Sequence, residues 1–220
     1  FCFVCGREVN FHSDLVYGFP QPDGTLHPNW RERIICPDCK LNNRMRAAIH
    51  LFHLLCAPTP ESSLYLTEQT TQFFDWFKQH YYDVTGSEYL AESIPPGATD
   101  NGGIRNENLT ALSFSDNQFD AILSFDVIEH IPDYLQAFRE CLRCLKPGGA
   151  LFFAWPFVHQ SQQHIVRAEL DENGQIRHLL PPEYHGNPIN PDSCPCFYHF
   201  GWELLDELRV LGFRDVAAYF

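Results

Sequence analysis

The sequence has no run of about 18 apolar residues, so no membrane-spanning helix is expected, and no segment reads as a signal peptide. Positive charge is scarce. Fifteen Lys and Arg stand against 28 Asp and Glu, a formal net charge of −13. An acidic chain repels phosphate backbones, which argues against wholesale binding of DNA or RNA. Internal repeats and low-complexity tracts are also absent. Apolar residues are plentiful, at 45% of 220 residues with 19 Phe, enough for one sizeable core or a core with a small appendage. The chain starts at Phe1 without Met and stops at Phe220 inside an apolar run, so both ends read as trimmed from a longer protein.

The one concentration of cations is Arg31, Arg33, Lys40, Arg44 and Arg46. It reads either as a solvated face or as a grip on a macromolecule. It lies beside two Cys-x-x-Cys pairs, Cys2/Cys5 and Cys36/Cys39. Each pair offers two thiolates from a tight turn, and two such knuckles make a tetrahedral sulfur site that suits zinc. Four protein ligands leave no open position, so the expected role is structural, with His12 and His27 outside the ligand set. Such pairs imply a reducing compartment, and the cytoplasm is expected. Cys141-x-x-Cys144 and Cys56 read as packing. Cys194-Pro195-Cys196 has only two thiols, and a second site there would need His199 or His185 to join it.

Residues 1–47 form a turn-rich zinc-binding module with little core of its own. From 48 onward, helix-like and strand-like stretches alternate. Ala47 to Leu55, the run Phe73, Phe74, Trp76, Phe77, and Pro132-Asp133 with Leu135, Phe138, Leu142 and Leu145 read as helices. Leu64–Leu66, Val84–Ser87, Phe119–Phe125 and Ala150–Trp155 read as strands, with Lys146-Pro147-Gly148-Gly149 as a break. Such alternation predicts an α/β fold with a mainly parallel sheet. Residues 157–200 are polar and rich in His and Pro. Gly201 to Leu211 then resumes a helix closed by Gly212, and Phe213 to Phe220 looks like a last strand.

The segment Leu109 to Ile131, with Glu140 and the Leu145 to Gly149 turn, resembles class I S-adenosylmethionine-dependent methyltransferases, in the subgroup with VLEH-type and LKPGG turns. The run Pro181 to Gly186, the Leu66-Thr67-Glu68-Gln69 turn and Gly86-Ser87-Glu88-Tyr89 resemble an uncharacterised bacterial branch of it. The resemblance implies a Rossmann-like sheet with helices on both faces, here carrying a zinc-ribbon-like N-terminal module, with 48–220 as the methyltransferase domain. It also implies S-adenosylmethionine at the carboxyl ends of the strands.

The family's first turn is glycine-rich, whereas Leu64 to Thr71 has no glycine. Thr67, Glu68, Gln69 and Thr70 can still offer polar groups to the methionine end. Glu88 stands where an acid pairs with ribose hydroxyls. Asn108 matches the position that accepts from the adenine amino group, with Leu109 against the ring. Phe125 and Asp126 match the turn that faces the sulfonium. His130 is a candidate base, although Glu129 and His130 read equally well as residues fixing the turn. The irregular stretch 157–200 follows the fifth strand position and is expected to form a lid with Tyr184, His185 and His159 facing the methyl group.

Three functions are compatible with these residues. The first is methyl transfer to a small molecule or a sugar or lipid precursor. The second is a protein or RNA methyltransferase that uses the zinc module for recognition. The third is an inactive methyltransferase-like binding module, for which the glycine-free turn is the best support.

Overall fold

The computed structural model describes residues 1–90, 93–186, 189 and 194–219. Residues 19–33 hold a short antiparallel pair, β1 (Phe19–Pro20) and β2 (Leu26–His27), and one helical turn, α1 (Trp30–Arg33). Then follow α2 (Asn43–Cys56), β3 (Ser63–Leu66), α3 (Gln72–His80), β4 (Asp83–Gly86) and β5 (Phe119–Phe125). A 3-10 turn at Ile128–His130 leads to α4 (Tyr134–Cys144) and β6 (Leu145–Ala154). The sheet order is β4-β3-β5-β6 and every pairing is parallel.

Side-chain alternation along these strands divides the core in two. Leu64, Leu66, Ala121, Leu123 and Phe125 pack with Ile49 and Phe52 of α2 and Phe73, Phe74 and Phe77 of α3. Tyr65 and Ile122 point the other way, onto Ala137, Phe138 and Cys141 of α4 and Leu204 and Leu208 of a last helix. A sheet covered on both faces buries its strands on both sides, which is why β5 is apolar almost throughout. Phe119 and Ala121 nevertheless face opposite clusters, because the β5–β6 register shifts between them.

Capping residues set the helix starts. The side chains of Asn42, Thr71 and Asp133 accept from the amides of Met45, Phe74 and Gln136. Beyond β6 the chain forms short antiparallel pairs: β7 (Ile165–Val166) with β12 (Tyr198–His199), β8 (Ala168–Leu170) with β9 (Ile176–His178), and β10 (Tyr184–His185) with β11 (Cys194–Pro195). The stretch expected to form a lid is built of short antiparallel strand pairs. Its Asn187 and Pro188 lie outside the described residues. Helix α5 (Glu203–Leu211) closes on Gly212, whose φ of 111° is left-handed.

Two expectations need correction. Residues 213–219 form no strand, and Phe220 lies outside the described residues. The Lys146 to Gly149 segment does not separate α4 from a strand at Ala150, because β6 already starts at Leu145.

Candidate active site at the carboxyl ends of the strands

The turn after β3 is held by side chains where glycines would otherwise bring backbone close. Thr67 is buried, and its hydroxyl donates to Ser124 Oγ at 3.0 Å. Glu68 accepts from the Thr71 hydroxyl, and burial pushes its carboxyl up to about 7. Gln69 bridges outward, its Oε1 accepting from the Arg105 amide at 2.8 Å and its Nε2 donating to Gly103 O at 3.1 Å.

Glu88, just past β4, reaches back to this turn. Its Oε1 accepts from the amides of Gln69 (2.8 Å) and Thr70 (3.0 Å) and from the Thr70 hydroxyl (2.8 Å). The sequence spacing thus brings together an acid and the turn that precedes α3, and they are bonded to each other. Gly86 serves packing here: a Cβ on it would lie 2.4 Å from the Phe74 ring and 2.7 Å from Glu68 O. In place of a third strand, Asn106 makes a single parallel bridge to Glu88. Asn108 Oδ1 accepts from the amide and hydroxyl of Thr110 in its own turn, and Leu109 is buried in the core beside Leu112 and Phe114.

Phe125 packs on Phe73 at 4.8 Å between ring centroids. Asp126 follows with a φ of 52°, a strained conformation for a non-glycine residue. Its carboxylate pairs with Arg44 at 2.7 Å and Arg31 at 3.1 Å, and both guanidiniums also meet Glu32. The N-terminal module thus covers the turn expected to face the sulfonium. Sequence gave no signal of this, since nothing in either segment links positions 95 residues apart. The rest of the cationic cluster is engaged as well. Arg33 pairs with Asp14, Lys40 donates to Pro37 O, and buried Arg46 donates to Ile34 O and Leu41 O.

The 3-10 turn brings Glu129 and His130 under the β10–β11 hairpin. Glu129 is fully buried. His130 Nδ1 donates to Pro195 O at 2.9 Å. The two imidazoles of His130 and His185 stand nearly perpendicular with centroids 4.9 Å apart. His185 Nε2 donates to Glu183 Oε1 at 3.0 Å, and His199 Nε2 donates to the same oxygen at 3.0 Å. Glu129 and then Glu183 push the His185 imidazole up to about 9, against burial that pulls it down. Tyr184 and His159 do not join this group. Tyr184 is exposed with its hydroxyl 3.3 Å from His178 Nε2, and exposed His159 contacts Gln160. Glu183 lies in the Pro181 to Gly186 run but carries no signal of its role there.

In the N-terminal module the four cysteines converge. Cys2 Sγ is 3.9 Å from Cys39 Sγ, and Cys5 Sγ is 3.8 Å from Cys36 Sγ. A tetrahedron with Zn–S bonds of about 2.3 Å has edges of about 3.8 Å, so the thiols present fit a zinc ion. Neither His12 nor His27 is in this group. Cys141 and Cys144 are core residues of α4.

Residues 69–153 match the family model described as a methyltransferase domain. A demethylmenaquinone methyltransferase of Listeria welshimeri is 31% identical over 160 residues, covering 71% of this chain and 61% of that protein. A 2-methyl-6-phytyl-1,4-hydroquinone methyltransferase of Synechocystis is 32% identical over 116 residues, covering 49% of this chain and 35% of that protein. The chain thus spans about three fifths of one relative and about a third of the other. An S-adenosylmethionine-dependent methyltransferase structure from Mesorhizobium loti has a TM-score of 0.46 at 20% identity, over 76% of this chain and 80% of that one. From the turn after β3 to the end of β6, on a parallel α/β sheet, this chain is similar to a methyltransferase domain.

Proposed function

We propose that this chain transfers a methyl group from S-adenosylmethionine to a small-molecule acceptor, with 48–220 as the catalytic domain and 1–47 as a zinc-stabilised module. The carrying observation is that the stretch matching the methyltransferase domain runs through Glu88 and Asp126, which follow β4 and β5, the two parallel strands on either side of β3. The donor set suits the cofactor. Glu88 can accept from ribose hydroxyls, the α3 N-terminus can meet a carboxylate, and Asn108 and Leu109 flank the adenine position. Phe125 and Asp126 stand at the sulfonium position, and His130 and His185 on the acceptor side. The cofactor supplies an already activated methyl group, so the protein's task is alignment and exclusion of water.

Glu88 now occupies the amides of Gln69 and Thr70. Binding therefore requires its carboxylate to leave the turn for the ribose. The two relatives named for quinone and hydroquinone methylation favour a reduced-quinone-like ring over a sugar or lipid precursor as acceptor. The RNA-recognition alternative loses support because the cationic cluster is spent on internal pairs.

Calorimetric titration with S-adenosylhomocysteine tests the proposal. Micromolar binding is expected, weakened about tenfold or more by Glu88→Ala, the effect of one charge-assisted hydrogen bond. A folded chain that binds no S-adenosylhomocysteine would leave the fold as a non-catalytic binding module.

A further inference from the structure

Glu129 presents an unusual problem. Its side chain is fully buried, and among the described residues neither carboxylate oxygen has a hydrogen-bond partner. An ionised carboxylate out of water and without donors is among the costliest arrangements a fold can hold. A cation at these oxygens would meet that cost.

The groups that face Glu129 are two imidazoles. His130 Nε2 is 3.8 Å and His185 Nδ1 is 3.7 Å from Glu129 Oε1, too far for hydrogen bonds. The remaining ring nitrogens fix the tautomers. Pro195 O can only accept, so His130 carries its proton on Nδ1 and turns the Nε2 lone pair toward Glu129. Glu183 accepts from His185 Nε2, which leaves Nδ1 as the ring nitrogen turned toward the same oxygen. A carbonyl or carboxylate behind each imidazole is the usual support of metal-ligating histidines.

We propose that Glu129, His130 and His185 form a three-ligand site for a first-row divalent cation, separate from the four cysteines. Their ligand atoms lie within 4.8 Å of one another. Two ligands at about 2.1 Å with tetrahedral angles stand about 3.4 Å apart, so the two carboxylate–imidazole separations need to close by only a few tenths of an ångström. Two imidazoles and one carboxylate suit zinc or iron(II) and leave coordination positions open for an oxygen ligand. The neighbouring group Glu183, Cys196 and His199 is support and not a second centre. Glu183 Oε1 already accepts from two imidazoles, its Oε2 pairs with Arg167 at 3.1 Å, and Cys196 Sγ donates to Tyr198 O at 3.4 Å.

The test is cobalt(II) titration of the metal-stripped chain, followed by absorption and elemental analysis. The four-cysteine site gives intense sulfur-to-cobalt charge transfer in the ultraviolet. The proposed site adds a second equivalent whose visible bands come without further charge transfer. Glu129→Gln and His185→Ala are each expected to lose that second equivalent at micromolar free metal while retaining the first. Cys36→Ser is expected to do the reverse. A wild-type chain that takes up one cobalt only, or two in both Glu129→Gln and His185→Ala, overturns the proposal. Cofactor binding does not enter the readout, so it stands or falls apart from methyl transfer.

Discussion

Glu68 sits in the turn after β3 with its carboxyl pushed up to about 7 by burial, from an ordinary 4.5. A carboxyl whose folded pKa is raised favours the folded state fully below the unfolded value. That advantage is lost as pH rises toward the folded one. The window is therefore about pH 4.5 to 7, and the penalty above it is on the order of 3 kcal/mol. Glu68→Gln is expected to match the wild type below pH 4.5 and to exceed it by about that amount at pH 8. Urea unfolding at both pH values checks it, and equal differences at the two would contradict the assignment. At this scale the sequence revealed residue types better than their partners. Glu88 could be singled out because an acid about 20 residues past the first turn has a stereotyped use, but its bonds to Gln69 and Thr70 could not be read. Nor could the pairing of Asp126 with Arg31 and Arg44, because contacts across the chain leave no periodicity to read.

Among the elements, β4 and α3 meet at Gly86 with no room for a methyl group, since its nearest neighbours are a ring and a backbone oxygen. Gly86→Ala is expected to destabilise the fold by about 1–3 kcal/mol, the usual cost of overpacking, read as a lower melting temperature. A neutral result would mean that α3 shifts freely. The helices and the long strand β5 could be read from sequence because their patterns repeat over many residues. The strand pairs from β7 to β12 could not: two or three residues are too few to show alternation. The Lys146 to Gly149 stretch misled for a physical reason, because Pro and Gly mark a turn while the strand absorbs them at its register shift with β5. Phe213 to Tyr219 has strand-like composition but pairs with no strand among the described residues.

Across the whole molecule, the two arginines on Asp126 tie the N-terminal module to the sheet, while the buried guanidinium of Arg46 donates within the module to Ile34 O and Leu41 O. The module has little apolar core, so a zinc ion on its four cysteines would supply much of its order. In a Glu129→Gln background, chelation is expected to lower the melting temperature by about 5 °C or more. Cys36→Ser should reproduce the effect without chelator, and a chelator-insensitive melt would deny zinc that role. The arginine clasp on Asp126 has a thermodynamic consequence. If loss of zinc loosens Arg31 and Arg44 and so changes affinity at the strand ends by some factor, occupancy there must change zinc affinity by the same factor, because coupling between two binding equilibria is reciprocal. A competition assay with a colorimetric chelator, run with and without S-adenosylhomocysteine, reads that factor from the zinc side. The cysteine knuckles would then hold their metal with a strength that reports what is bound at the carboxyl ends of the strands.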